Sequence, residues 1–318
     1  MMNPVIEIKD LKKHFNVAAG KNHAVDGVSF KIQKGRTMGV VGESGCGKST
    51  LGRTIIRLLE PTSGQILLGG EDVTFAKGKA LIHAREKMQI IFQDPYSSLN
   101  PRFTVEDTIA EPLQISKKYG SKKEITDAVM ELFHRVGIDD RFRSAYPHEM
   151  DGGRRQRVGI ARAIALNPEF VMCDEPVSAL DVSIQAQVIN LLMDLQDEFG
   201  LTYMFVTHDL SVVKHISDDI SVMYLGQLIE TSPANELFRM PLHPYTKALL
   251  SAIPSIDIHN GMKQIMLKGE LTSAINPHPG CRFAPRCPYA KEECHQPQKL
   301  YEAEKDHFVA CCRIKEIG

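Results

Sequence analysis

The feature that most limits how this chain can fold is a glycine-rich loop after the apolar run Thr37 to Val41. The loop and the residues that follow it are Gly42, Glu43, Ser44, Gly45, Cys46, Gly47, Lys48, Ser49 and Thr50. They fit the pattern G-x-x-x-x-G-K-[ST] in its required place, between a buried strand and a helix. Glycines let backbone N–H groups and the helix N-terminus face a polyphosphate, while Lys48 reaches the β- and γ-phosphates and Ser49 ligates Mg²⁺. A glycine-rich turn that binds nothing is the alternative, but every fixed position is filled, so we predict a nucleoside-triphosphate site.

Two adjacent carboxylates follow a second apolar run. The run is Phe170 to Cys173, and Asp174 and Glu175 come directly after it. Near a phosphate loop, Asp174 would complete the Mg²⁺ shell, and Glu175 would orient or deprotonate the water that attacks the γ-phosphate. Solvated carboxylates at a strand end are the alternative, although that is more common for one acid than for two. The pair therefore predicts hydrolysis.

The order of apolar and amphipathic segments predicts an α/β fold. Short strands are expected over residues 5–41, and a helix is expected from Ser49 to the stop at Pro61. An apolar run, an amphipathic helix and the run Tyr203 to Thr207 then alternate, as in a parallel sheet covered on both faces. We predict a P-loop NTPase core with a β-rich N-terminal layer and a helical subdomain at about 95–165.

The composition changes near residue 241, where prolines become frequent and periodic segments become rare. We therefore predict a nucleotide-binding domain over residues 1–240 and a small, loop-rich C-terminal extension over residues 241–318. The extension holds five of the seven cysteines. In a reducing compartment such a group indicates metal or iron–sulfur ligation before disulfides.

The charge balance gives no support for a nucleic-acid partner. The 318 residues carry 38 Lys and Arg against 39 Asp and Glu, a formal net charge of −1, whereas nucleic-acid-binding domains present a basic surface. The N-terminus lacks a basic segment followed by an apolar core, and no apolar run approaches the ~20 residues of a spanning helix. We expect a cytoplasmic chain that acts at a membrane only by binding a protein partner.

Further motifs stand in the order of a known family. From residue 15 to residue 208 the chain resembles the ATPase subunit of an ATP-binding-cassette (ABC) transporter. Phe92-Gln93-Asp94-Pro95 is similar to its Q-loop, and the resemblance implies that Gln93 contacts Mg²⁺ and the attacking water. It also implies that His208 contacts the γ-phosphate and that Phe15 stacks on adenine. The residues similar to the D-loop are Ser178, Ala179, Leu180 and Asp181.

The family signature L-S-G-G-Q is altered here. The corresponding residues are Met150, Asp151, Gly152, Gly153 and Arg154. The glycines still let an anion approach, but Asp151 replaces a serine that donates to the γ-phosphate in the family. A carboxylate ~4 Å from a phosphate charge costs about 4 kcal/mol at an effective dielectric near 20, unless it is protonated or a cation intervenes. Asp151 is also a good helix N-cap, and both roles can hold at one position.

The altered signature bears on the partner of this chain. In the family, two ATPase halves sandwich two nucleotides, each held by the phosphate loop of one half and the signature of the other. The resemblance therefore implies that Asp151 handicaps the nucleotide of a partner, while the site built on Lys48 stays competent. We expect a heterodimer with a paired ABC ATPase that has a normal signature.

Within the family, residues 173–187, 243–250 and 281–288 resemble the oligopeptide/dipeptide importer ATPases. The resemblance implies ATP and Mg²⁺ as ligands, two membrane permease subunits and an extracytoplasmic solute-binding protein as partners, and a place on the cytoplasmic face of the membrane. The cargo stays open between peptides, nickel or metallophore complexes and oligosaccharides. Two further functions stay open at this point, a regulatory cassette with little hydrolysis and a soluble cassette that acts on nucleic acid.

The tail cysteines have three interpretations. Cys281, Cys287, Cys294 and Cys311 are enough thiolates for one cluster, and in some relatives such a tail holds a [4Fe-4S] centre. Zinc is the rival, although structural zinc usually shows tighter C-x2–4-C pairs. Plain reduced thiols are the third interpretation.

Overall fold

A computed structural model describes residues 4–253, 265–267, 269 and 273–317 of the chain, which form a mixed α/β fold. The strands are β1 (Ile6–Val17), β2 (Gly20–Ile32), β3 (Thr37–Val41), β4 (Ser63–Leu68), β5 (Glu71–Asp72), β6 (Met88–Ile91), β7 (Phe170–Asp174), β8 (Thr202–Val206), β9 (Asp219–Tyr224), β10 (Gln227–Pro233), β11 (Tyr301–Glu304) and β12 (His307–Val309). The helices are α1 (Lys48–Ile55), α2 (Gly78–Lys87), α3 (Pro95–Ser98), α4 (Val105–Ser116), α5 (Lys122–Arg135), α6 (Gly152–Ile164), α7 (Val182–Phe199), α8 (Leu210–Ile216), α9 (Ala234–Arg239), α10 (Pro244–Ser251) and α11 (Ile314–Ile317).

The larger sheet has the strand order β11-β12-β10-β9-β3-β8-β7-β6. Its pairings from β6 to β9 are parallel, whereas β10, β11 and β12 add antiparallel strands at one edge. Every residue of β3, β7 and β8 is buried, as expected for strands covered on both faces. Since β3 and β7 flank β8, the loop after β3 and the carboxylates after β7 emerge at the same edge, where open α/β sheets bind ligands. The predicted fold class is confirmed.

The smaller sheet is antiparallel, in the order β2-β1-β4-β5. Its inward residues, among them Ile6, Ile8 and Leu11, share one apolar core with Leu51 and Ile55 of α1. This β-rich layer therefore packs on the helix that begins in the phosphate loop.

Helices α3 to α6 lie between residues 95 and 165, where the sequence predicts helices. Their apolar faces join the core that α7 and β7 also fill, with Phe133, Ile160 and Leu192 fully buried. Thr104 begins α4 with a capping box, and Ser121 accepts from Glu124 N–H at the start of α5.

Helix α1 is shorter than the sequence predicts. It ends at Ile55 instead of running to Pro61, because Arg57 adopts a left-handed backbone with φ of 60°. The buried Arg57 guanidinium donates to the Val73 carbonyl, which stabilises this turn through a tertiary contact. Among the described residues, we find no helix with the combined length and apolarity that crossing a bilayer requires.

The tail is joined to the core by its own strands, although the sequence predicts mainly loops there. Strand β12 pairs with β10 and with β11. A fully buried carboxylate, Glu230 of β10, accepts from Leu242 N–H (2.7 Å), His243 N–H (2.9 Å) and His307 Nε2 (2.7 Å). Because an unpaired buried charge is costly, this set of contacts holds β10, β12 and the start of α10 together.

His243 gives the fold a pH dependence. Burial lowers the pKa of His243 to about 4, whereas an unfolded histidine titrates near ~6.5. The stability that neutral His243 contributes is therefore complete above pH ~6.5 and is lost as the pH falls towards 4, by about 2 kcal/mol between pH 7 and pH 5. Its Nδ1 accepts from Tyr245 N–H (3.1 Å), a bond that asparagine can also accept without titrating.

We predict that His243→Asn removes about 2 kcal/mol of the stability difference between pH 7 and pH 5. Denaturant midpoints at the two pH values measure this, with His134→Asn at an exposed histidine as the control. If His243→Asn and the parent lose the same stability, His243 does not titrate with folding.

Candidate nucleotide site

A cleft of about 500 Å³ opens at the carboxyl ends of β3 and β7. It is lined by Phe15, Asn22, Ala24, Ser44, Gly45, Cys46, Gly47, Lys48, Ser49, Thr50, Gln93, Glu175, His208 and Ala274. The structure thus brings together, around one cavity, the predicted phosphate loop, the predicted base, the histidine predicted to contact the γ-phosphate and the predicted adenine-stacking residue.

The loop has a shape that only glycine permits at two positions. The φ angles are 153° at Gly42 and 109° at Gly47, both in the region that favours glycine. A Cβ would lie 2.2 Å from the Met223 carbonyl oxygen at Gly42 and 2.0 Å from the Ala24 carbonyl oxygen at Gly47. Neighbouring backbone therefore packs directly against the loop at both glycines and fixes its shape.

Lys48 begins α1 with a buried side chain. Its Nζ donates to the Gly42 carbonyl (2.8 Å) and the Glu43 carbonyl (3.0 Å). The ammonium is thus held over the loop with its charge uncompensated by a carboxylate among these contacts. A bound phosphate could take one of its donor positions.

Asp174 lies fully buried at the end of β7. Ser49 Oγ donates to Asp174 Oδ1 (2.6 Å), and Arg53 Nη2 donates to Asp174 Oδ2 (3.1 Å). A hydroxyl and a carboxylate oxygen are the hard oxygen ligands that Mg²⁺ prefers. The remaining coordination positions of the ion would be filled by water and phosphate oxygens. The pair therefore fits a magnesium ion.

Glu175 has a backbone that sequence reasoning did not predict. Its φ is 48°, in the left-handed region that costs a non-glycine residue on the order of 1–3 kcal/mol. Its N–H donates to the Val206 carbonyl (2.9 Å), so the neighbouring strand β8 stabilises the turn. This conformation directs Glu175 into the cleft, while the preceding Asp174 remains buried.

Two side chains converge on one oxygen of Glu175. Gln93 Nε2 lies 3.1 Å from Oε2, and His208 Nδ1 lies 3.2 Å from the same oxygen. Gln93 follows β6 and His208 follows β8, so three neighbouring strands of the sheet supply the three groups. This arrangement can hold a carboxylate beside a water and a phosphate, as hydrolysis requires.

The far end of the cleft contains Phe15 and a residue that the sequence did not indicate. Phe15 lies near the end of β1, with Lys13 Nζ 4.8 Å from its ring centre. Ala274 of the tail lines the same cavity, and its carbonyl accepts from His23 N–H (2.9 Å). Nothing in the local sequence of Ala274 signals this, because its position depends on how the tail packs.

The altered signature forms an ion pair at the start of α6. Asp151 caps the helix by accepting from Arg154 N–H (2.8 Å), and Arg154 Nη1 donates to the other carboxylate oxygen (2.6 Å). The predicted N-cap is therefore present. Residues 178–181 lie beside it, since a Cβ at Gly152 would be 3.2 Å from Leu180. Among the described residues, the cleft lining includes neither this signature nor the D-loop residues.

Asp26, outside the cleft lining, joins the β-rich layer to the tail. His14 Nε2 and His23 Nδ1 each lie 3.0 Å from one of its oxygens, and Arg282 also donates to it. Burial alone would raise the pKa of Asp26, but these donors outweigh it and lower the pKa to about 2. The group is thus a hydrogen-bonded network whose acceptor oxygens are already used.

The tail cysteines lie close together. Cys281 N–H donates to the Cys294 carbonyl (2.8 Å). Burial, together with the neighbouring Cys294 and Cys311, raises the pKa of Cys281 to about 12. Burial also raises the pKa values of Cys287 and Cys311, with Cys294 adding to each.

The sulfur spacing bears on the ligand. A Zn–S bond of about 2.3 Å places tetrahedral thiolates about 3.8 Å apart, but no three cysteine sulfurs of the described residues lie within 4.8 Å of one another. The described cysteines therefore form no ready-made tetrahedral zinc site.

Comparison with known proteins places these features in a family. Residues 25–178 match the ABC transporter family, and residues 229–294 match the oligopeptide/dipeptide transporter C-terminal region. The chain is 52% identical over 318 residues to the oligopeptide transport ATP-binding protein AppF of Bacillus subtilis (strain 168), covering 96% of each protein. The chain belongs to the ABC transporter ATPases.

Other relatives agree with this assignment. This chain is 48% identical to the oligopeptide transport ATP-binding protein OppF of Salmonella typhimurium, and the match covers 98% of this chain and 97% of that protein. It is 47% identical to the dipeptide transport ATP-binding protein DppF of Haemophilus influenzae over the same shares. A dimeric post-hydrolysis structure of the ATP-binding cassette MJ0796 bound to ADP and Pi has a TM-score of 0.67 and 28% identity, covering 72% of this chain and 98% of that one.

We predict that Glu175→Gln in this ABC ATPase preserves ATP binding and lowers turnover at its own site by at least ~100-fold, because it removes the proton acceptor and keeps the shape. Equilibrium binding on the chain, and steady-state phosphate release by its complex with a partner ATPase, measure the two effects. Glu169→Gln, at the exposed start of the same strand segment, is the control and should change neither. Turnover of Glu175→Gln within a few-fold of the parent would contradict the assignment of the base.

Proposed function

We propose that this chain hydrolyses ATP to drive import by a membrane complex whose cargo is di- or oligopeptides. The observation that carries the proposal is the convergence of Gln93 and His208 on Glu175 beside the phosphate loop. The oligopeptide/dipeptide-type C-terminal region supports the cargo class. In this proposal residues 1–240 form the nucleotide-binding domain and residues 241–318 the extension.

The chemistry is in-line transfer of the γ-phosphoryl group to water, which needs positioning and charge stabilisation more than covalent help. The loop from Gly42 to Thr50 binds the phosphates through N–H groups and Lys48. Ser49, Asp174 and Gln93 would hold Mg²⁺, which would neutralise phosphate charge. Glu175 accepts the proton of the attacking water, His208 contacts the γ-phosphate, and Phe15 stacks on adenine.

The partners follow from the same proposal. Two permease subunits receive the motion of the ATPase beside Gln93 and the helices at 95–165, on the cytoplasmic face of the membrane. An extracytoplasmic solute-binding protein delivers cargo to them. Nickel or metallophore and oligosaccharide importers are the second candidates, and the binding specificity of the solute-binding protein encoded beside this chain distinguishes them.

We further propose that the chain works as one half of a heterodimer. Its signature presents the pair of Asp151 and Arg154, in which the guanidinium is the cation that offsets the carboxylate. Asp151 accepts hydrogen bonds as the helix cap and as the partner of Arg154. It therefore cannot donate to the opposite nucleotide as the serine of the family signature does. A partner with an intact signature would complete the site on Lys48, while this chain completes the partner's site poorly.

We predict that the purified chain is a poor ATPase alone and becomes active when a partner ATPase with an intact signature is added. The double variant Asp151→Ser with Arg154→Gln restores the S-G-G-Q part of the family signature. It should raise the activity of the lone chain at least ~10-fold, since a donor to the phosphate charge contributes ~1.5 kcal/mol or more. Phosphate release at matched protein concentration measures both.

The control is Asp139→Ser with Arg141→Gln, which removes an exposed ion pair outside the signature. It should leave the lone chain as inactive as the parent. If the parent alone turns over as fast as the paired complex, the asymmetry that we propose is wrong.

For the tail, we propose a [4Fe-4S] centre held by Cys281, Cys287, Cys294 and Cys311. Support comes from the number of free thiols in the extension and from the backbone contact between Cys281 and Cys294. The centre would stabilise the extension, since ATP hydrolysis transfers no electron. Ligation requires thiolates, so loading would displace protons from thiols whose pKa values burial raises.

We predict about four irons per chain in anaerobically purified protein, as a Cys₄ cubane requires. Cys281→Ser with Cys287→Ser should abolish the iron and the associated visible absorption. Cys312→Ser is the matched control and should keep both, because Cys311 is the proposed fourth ligand. Zinc in elemental analysis, or full iron in the double variant, would contradict the proposal.

A further inference from the structure

The phosphate loop contains one carboxylate in a place built for anions. Glu43 is the only acidic residue between Gly42 and Thr50. Its two carboxylate oxygens accept from Arg286 Nη1 at 3.1 and 2.8 Å. Only 9% of the Arg286 side chain and 21% of the Glu43 side chain are exposed, so water screens this pair weakly.

The backbone of Glu43 is held as well. Its N–H donates to the buried Tyr245 hydroxyl (2.9 Å), and its carbonyl accepts from Lys48 Nζ (3.0 Å). All three polar groups of the residue are therefore engaged. Because the N–H binds Tyr245 and the side chain binds Arg286, both of these groups are fixed by elements outside the loop.

The tail fixes Arg286 in turn. Arg286 ends the turn Ala284–Arg286, and the preceding Phe283 is fully buried. The Phe283 ring centre lies 5.4 Å from those of both Tyr224 and Tyr245, in edge-to-face arrangements. Such packing fixes the direction of the turn, so the guanidinium reaches Glu43 from a rigid support.

The charges give this contact a consequence for ligand binding. A polyphosphate in the loop brings several negative charges near Glu43, and an unpaired carboxylate there would oppose it. The guanidinium removes that opposition and keeps the carboxylate turned towards the tail. We propose that Arg286 is a positioning residue of the nucleotide site, which neutralises Glu43 and holds the phosphate loop in its anion-binding shape.

This inference rests on the proposed binding of ATP at Lys48, and the charge pattern allows a specific test. We expect Arg286→Gln to weaken binding of a non-hydrolysable ATP analogue with Mg²⁺ by about fivefold or more. Glu43→Gln should bind the analogue more tightly than the parent, because it removes the opposing charge. The double variant should return to within about twofold of the parent. Titration calorimetry on the full chain measures all four dissociation constants.

Arg313→Gln is the matched control. Like Arg286, Arg313 is an arginine of the tail that has a largely buried side chain and stands next to a cysteine, but it forms its ion pair with Glu316 (2.6 Å) and not with a residue of the phosphate loop. It should leave the dissociation constant unchanged. If Arg286 acted only on tail folding, both Arg286→Gln and Arg313→Gln would weaken binding, and adding Glu43→Gln to Arg286→Gln would not restore it. Either of these two results overturns the inference. If the parent binds and Arg286→Gln binds equally well, only this inference fails. If the parent itself does not bind, the proposed function fails with it.

Discussion

The rest of the structure depends on how a short stretch of backbone is held open for a polyphosphate. N–H groups can face an anion only if the loop from Gly42 to Gly47 turns tightly, and the carbonyls of Ala24 and Met223 leave no space there for a Cβ. Those carbonyls belong to β2 and β9, one from each sheet. The two sheets thus meet at the loop, and the β-rich layer also places Phe15 at the far end of the same cleft.

The order of strands then supplies the chemistry. Because β3, β8, β7 and β6 are parallel neighbours, each contributes a residue at the same edge of the sheet. Lys48, His208, Glu175 and Gln93 follow these four strands and line one cavity. No single segment contains the site. The left-handed turn at Glu175 points the side chains of the adjacent residues Asp174 and Glu175 to different places. One acid stays buried with Ser49, and the other reaches the cleft.

Sequence reasoning predicted the parts of this arrangement that are local. The phosphate loop, the acids after β7 and the helices near 95–165 have patterns that depend on a few neighbouring residues, and the fold class and family that they indicated are confirmed. The features it missed arise from long-range packing. The early end of α1 depends on Arg57 reaching Val73, the edge strand β12 depends on its pairing with β10, and Ala274 and Arg286 reach the nucleotide site from the tail. The contact between Arg154 and Asp151 required side-chain geometry that a motif does not contain.

The proposed function depends on ATP binding to this loop through its backbone and Lys48. Calorimetric titration of the purified chain with a non-hydrolysable ATP analogue and Mg²⁺ tests it most directly when the parent is compared with Lys48→Ala. We predict one site per parent chain and at least ~10-fold weaker binding by Lys48→Ala, because a charge-assisted hydrogen bond to phosphate contributes ~1.5 kcal/mol or more. Equal affinities in the two proteins, with equal thermal stability, would contradict it.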